Sequence, residues 1–109
     1  MKFLFEIHIR PGHTADHYAE AWIAASRIIQ RAPGARGTRL HRKLDNPNVL
    51  LAIAEWDSKA QRDAMESQPS EQVREIIASQ APFVDIRVIG EFDDPAWVVE
   101  AGGKMPDEH

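Results

Sequence analysis

Apolar and polar residues alternate from Lys2 to Arg10. Phe3, Phe5, Ile7 and Ile9 share one side of this stretch, and Leu4, Glu6, His8 and Arg10 share the other. A period of two predicts a strand with one dry face, and Pro11-Gly12 ends it. The period then changes. Tyr18, Trp22, Ala25, Ile29 and Ala32 recur at helical spacing, the buried stripe of an amphipathic helix. Thr14 can cap that helix, with Asp16 and Glu20 near its positive end and Arg27 and Arg31 near its negative end. Pro33-Gly34 stops it.

Next comes "ARGTRLHRKL", an alternating strand, then "DNPN" as a turn, then "VLLAIAEW" as a more buried strand. So short a link reads as an antiparallel hairpin. Asp57 or Ser58 caps a second helical segment running to about Gln68. Pro69-Ser70 punctuates it, and Val73, Ile76 and Ile77 continue an apolar face. Pro82 opens a last strand, "FVDIRVIGEF", in which Val84, Ile86 and Val88 are expected to be dry.

The order β-α-β-β-α-β predicts an α+β domain of the ferredoxin-like type, one antiparallel sheet with its helices on one face. It occupies residues 1–92. The uncovered face would carry Leu4, Val49, Leu51, Ile53 and Ile89 among its charges, a mixture that suits a covered surface better than bare solvent. Two such sheets face to face would close a barrel around a small cavity. The remaining tail, residues 93–109, brings Trp97, Val98 and Val99 after the fold is finished. It either docks on its own domain or lies as an arm across a partner subunit.

A length of 109 residues allows one domain, and 43% hydrophobic with 28% charged residues is the balance of a soluble globular protein. The absence of cysteine removes disulfides, thiolate zinc sites and a thiol nucleophile, and fits a reducing, cytoplasmic setting. Charge interrupts the apolar residues of "MKFLFEIHIR", so it does not read as a signal peptide. No apolar run approaches membrane-spanning length. A net charge of −4 argues against nucleic acid as a partner, with only "RGTRLHRK" locally basic.

Several landmarks together resemble the antibiotic biosynthesis monooxygenase family of the dimeric α/β-barrel superfamily. They are Pro11-Gly12 after the first strand, Pro33-Gly34 after the first helix, Leu40, Arg42, Asp45 and Pro47 around the hairpin, and "EWDS" (Glu55 to Ser58) leading into the second helical region. The resemblance covers residues 1–92. It implies a homodimer with a ligand pocket between sheet and helices in each subunit. Some relatives oxidise aromatic polyketides or quinols with molecular oxygen and no metal or flavin, the substrate itself activating the oxygen as an electron-rich anion. That chemistry needs a base, oxyanion donors and an apolar chamber. Other relatives degrade haem with an Asn on the first strand and a Trp and a His in the second helical region. Here Glu6-Ile7, Ala64-Met65 and Arg74-Glu75 occupy those regions, which disfavours haem chemistry.

His8 and His41 are the catalytic candidates, because a histidine serves as a base near neutral pH; the alternative is a hydrogen-bonded pocket, interface or edge histidine. Arg39, Glu55, Trp56 and Arg87 are candidates for substrate binding. An arginine can hold a phenolate, and a carboxylate beside apolar strand residues either rises in pKa or pairs with Arg87 or Arg39. The Trp56 indole either stacks on a planar ligand or packs at the strand end. His13 and His17, four apart, bind a metal only if both are helical and a third ligand arrives. His13 precedes the helix cap, so no metal site is expected.

The leading expectation is a cofactor-independent, monooxygenase-like domain acting on a small aromatic or quinol. The competing ones are a non-catalytic module that binds or senses a small molecule, and an isomerase or cyclase using the same pocket.

Overall fold

The computed structural model describes residues 1–104. Its strands are β1 (Lys2–Ile9), β2 (Ala35–Lys43), β3 (Asn46–Trp56) and β4 (Val84–Phe92), and its helices are α1 (Ala15–Ile29), α2 (Lys59–Ser67) and α3 (Glu71–Gln80). The strands form one antiparallel sheet in the order β2-β3-β1-β4. This is the ferredoxin-like arrangement expected from the alternation of periods.

Side-chain caps set the helix starts, at Thr14 and at Ser58, one of the two residues expected there, and also at Ser70, expected only as punctuation. The Thr14 hydroxyl accepts from the His17 N–H, Ser58 from Gln61, and Ser70 from Val73. Each satisfies a backbone donor that the first turn leaves without a helical partner. Pro69 and the Ser70 cap divide the second helical region into α2 and α3.

The structure differs from the sequence reading at three places. The hairpin turn is tighter than "DNPN": Lys43 already pairs with Asn46 across Leu44 and Asp45. Pro47 lies inside β3, at a break in register between Arg42 and Lys43 of the partner strand. A proline is tolerated there because a bulged residue need not donate to the ladder. The last strand begins at Val84, because Ala81–Phe83 form a 3-10 turn. That turn is clamped by β1, with the Arg10 N–H donating to the Phe83 carbonyl and the Arg10 Nη1 to the Pro82 carbonyl.

Third, the dry face is not uniformly dry. Ile7, Ile9, Leu50, Ala52 and Val84 form a core with Ala15 and Tyr18 of α1, and Ile7 is fully buried. Phe3 and Phe5 are only partly covered, and Val88 at the far end of β4 is 65% exposed. α1 packs on β2 and β3, and α1 packs on α3. The helical layer therefore closes tightly over one end of the sheet and leaves space over the other. Trp97 is 93% exposed, so it is not docked on its own domain.

Candidate functional site

The space beneath the helices is a chamber of about 480 Å³, within the range that holds a small organic ligand. Its floor is the helix-facing side of the sheet: Phe3 and Phe5 of β1, Ala54 and Trp56 of β3, and Val84, Ile86 and Val88 of β4. Tyr18, Trp22, Ala25 and Ile29 of α1 form one wall, and Met65, Ile76 and Ile77 from α2 and α3 form the other. The alternation of β1 places aromatic rings there, since residues two apart share a face.

Few polar groups interrupt this surface, and most are already engaged. Thr38 Oγ1 donates to the Ile53 carbonyl at 3.2 Å, and Gln30 Oε1 accepts from the Gly37 N–H at 2.7 Å. Arg62 of α2 is 8% exposed, with its guanidinium 3.7 Å from the Phe3 ring centroid. Its Nη1 lies 3.1 Å from Glu66 Oε2 and 3.8 Å from carboxylate oxygens of Asp63 and Glu91. Lys59 shares those last two carboxylates. The arginine is thus a neutralised part of the wall: a cation removed from water needs partners, and it has both carboxylates and an aromatic face. Among the described residues the ionisable side chains of the lining are Tyr18, Arg62 and Glu66. Burial pushes the Tyr18 phenol up to about 12, so it stays protonated at neutral pH.

Of the residues singled out by sequence, Trp56 lines this chamber, and it is buried. The others share the opposite face of the sheet. Cross-strand partners run His41–Leu51–Glu6–Arg87 in one row and Arg39–Ile53–Leu4 in the next, while His8 stands opposite Val49 and Asp85. His8 Nε2 lies 2.9 Å from Glu6 Oε1, and Glu55 pairs with Lys2 at 3.5 Å. Arg39 and His41 also border a shallow groove at the β2 edge with Trp22 and Ile23. The structure therefore gathers His8, Arg39, His41, Glu55 and Arg87 on one surface, but not around the chamber.

His13 and His17 do come together, with ring centroids 4.6 Å apart, and His13 stacks on Phe83 at 4.5 Å. Among the described residues, no group of three His, Asp or Glu side chains is placed to hold a metal ion. The His13 Nε2 instead meets Gln80 Oε1 at 3.1 Å.

Sequence reasoning missed Arg62, Glu66 and Gln80. The Gln80 position was legible, because Val73, Ile76 and Ile77 extended by three or four residues reach it. Arg62 lies in the polar run "KAQRDAMESQ", where no period marks a buried side.

The profile of the antibiotic biosynthesis monooxygenase family matches residues 2–79. No curated protein matches the chain. Among solved structures, a variant of SnoaB, a cofactor-independent oxygenase from Streptomyces nogalater, superposes with a TM-score of 0.73. It is 17% identical, over 87% of this chain and 93% of that one. A candidate antibiotic biosynthesis monooxygenase from Deinococcus radiodurans also gives 0.73, at 14% identity over 93% of this chain and 100% of that one. One from Nitrosomonas europaea gives 0.64, at 11% identity over 84% and 90%. At such identities the likeness is one of fold, and function is decided by the site.

Proposed function

The chain belongs to the antibiotic biosynthesis monooxygenase family, and we propose that its chamber takes a small aromatic or quinol and oxidises it with molecular oxygen without a metal or flavin. The observation that supports this reading is the chamber itself, an apolar space of about 480 Å³ walled by Phe3, Phe5, Tyr18, Trp22 and Trp56. Aromatic walls favour a flat, apolar ligand, and exclusion of water favours electron transfer from a bound phenolate over side reactions.

The overall step balances simply. A quinol and one O₂ give a hydroxyquinone and one water; one oxygen atom enters the product and the other leaves reduced. The phenolic proton needs an acceptor, and Glu66 is the carboxylate of the lining. Its side chain is 61% exposed, so it can hand the proton to solvent. The test is oxygen uptake with hydroquinone and with anthrone, read against protein-free solution. Uptake that requires the protein, with one O₂ consumed per oxygenated product, is expected; uptake at the protein-free rate overturns the reading.

We assign His8, Arg39, His41, Glu55 and Arg87 to an interface between two copies of the chain, which would pair these open faces as a homodimer. Leu4, Leu51 and Ile53 lie among them half-buried, and Trp97 of the tail is exposed. A catalytic role for His8 and His41 requires that second copy to close a space over them. Loss of turnover in both His8→Ala and His41→Ala, with the dimer intact in native mass spectrometry, is the result that would establish it. A second function, binding without catalysis, is favoured by one observation: among the described residues no histidine lines the chamber. Recovery of an unaltered ligand, with no oxygen uptake, would support it.

A further inference from the structure

Two side chains at the closed end of the chamber carry hydrogen-bonding capacity that the protein does not use. Tyr18 and Gln80 are each 8% exposed and both belong to the lining. They come from helices that pack on each other, α1 and α3. Tyr18 sits in the core cluster with Val84, and Gln80 ends α3 just before the 3-10 turn that leads into Val84. Both groups thus flank the same strand start.

The Tyr18 hydroxyl has no hydrogen-bond partner among the described residues, and burial alone accounts for its raised pKa. Among the described residues no sealed polar side-chain atom is left unsatisfied, so that hydroxyl is not sealed, and Tyr18 lines the chamber. Gln80 is half engaged. Its Oε1 lies 3.1 Å from His13 Nε2, a contact that, since an amide oxygen only accepts, uses the Nε2–H tautomer of the histidine. Its amide nitrogen donates one hydrogen to Ser79 Oγ, at a long 3.4 Å, which leaves the second amide N–H without a partner among the described residues. His13 is itself held, stacked on Phe83. In that tautomer the histidine holds the amide oxygen and turns the amide nitrogen away from itself.

We propose that Tyr18 and Gln80 form a two-donor site for a ligand oxygen, a ketone, quinone or phenolate oxygen, at the closed end of the chamber, with His13 as the positioning residue for the Gln80 amide. The site orients the ligand: the oxygen-bearing edge points to the closed end, and the rest of the ring system lies along Phe5 and Phe3 toward Arg62. An apolar ligand without that oxygen leaves both donors desolvated and unpaired, so the site discriminates strongly against it. This inference rests on the chamber being the ligand site, as proposed above, but not on oxygen chemistry.

The test uses two unreactive probes of matched shape, 1-tetralone and tetralin, with the full chain. Affinities are read by calorimetry, and the carbonyl stretch of the bound ketone by isotope-edited infrared difference spectra. The wild-type protein is expected to bind the ketone at least tenfold more tightly and to lower its carbonyl frequency relative to alkane solvent. Tyr18→Phe and Gln80→Met are each expected to cut that preference severalfold, in part by raising tetralin affinity, and to return part of the frequency shift. His13→Phe, which keeps a ring against Phe83, is expected to move the frequency part of the way that Gln80→Met does. Equal affinity for both probes, binding of neither, or an unshifted carbonyl in the wild-type protein overturns the proposal, and this arm needs no variant to fold. Ketone preference without oxygen uptake on quinols would overturn the proposed activity alone; oxygen uptake without ketone preference would overturn this inference alone.

Discussion

The Arg62 guanidinium sits over the Phe3 ring, with its carbon 3.7 Å from the ring centroid. The same cation meets Glu66, with Nη1 3.1 Å from Oε2. Arg62→Met keeps most of the stem and removes the charge. It is expected to lower stability by about 1–2 kcal/mol. A double-mutant cycle with Phe3→Leu, read from urea midpoints, should return a coupling of roughly 0.5–2 kcal/mol. Simple additivity would mean that ring and cation do not interact.

Tyr18 is the single tyrosine of the chain, so a tyrosinate absorbance titration reports on it alone. Ionisation is expected near 12 in the folded protein against an ordinary value of 10.0. A raised folded pKa gives stability that is fully present below pH 10 and is lost as pH rises through about 12. The loss integrates to roughly 3 kcal/mol. The difference in alkaline stability between wild type and Tyr18→Phe isolates it from the lysines. A titration at the ordinary value would show that the hydroxyl is open to water.

Arg10 ties the start of β4 to the end of β1, its Nη2 and Nε donating to Asp85 Oδ1 and Oδ2 at 2.6 and 3.2 Å. The hydrogen bond from Arg10, helped by its charge, holds the Asp85 carboxyl below its ordinary 3.8. A lowered folded pKa gives stability that is present above pH 3.8 and lost as pH falls through the folded value. Asp85→Asn should therefore flatten the acid limb of a melting-temperature profile by slightly lowering the neutral region, where the pair contributes, and leaving the acid end nearly unchanged. The pair is exposed, so added salt should weaken the effect.

Gly34 joins α1 to β2 with a φ of +87°, and its carbonyl accepts from the Asp57 N–H at 2.8 Å. A Cβ there would stand 2.5 Å from the Gln61 side chain. Gly34→Ala combines a left-handed backbone with a clash and should cost about 1–3 kcal/mol. Gly37→Ala, at φ +100° with nothing within 4 Å of the new carbon, should cost less. Equal losses in thermal unfolding would mean that the close approach to Gln61 carries no weight.

The architecture was legible because each element announces itself locally. The alternation of Phe3, Phe5, Ile7 and Ile9, the stripe of Tyr18, Trp22 and Ala25, and the caps Thr14, Ser58 and Ser70 all act within a few residues of chain. Their periods and stops suffice to order four strands and the helices between them. The hairpin turn was less legible, because a bulge at Pro47 depends on how two strands share a register.

The sequence by itself determined the order of elements, the two faces of the sheet and the family. Only the tertiary structure decided which of those faces carries the chamber, and it separated Trp56 from His8, Arg39, His41, Glu55 and Arg87. It also brought His13 to Gln80, 67 residues away, and Arg62 to Phe3 and Glu91. The physical reason is that a face is set by the two-residue period of a strand. A cavity, by contrast, is set by how far the helices stand from the sheet. That distance comes from packing between α1, α3 and the core around Ile7, which no local pattern encodes.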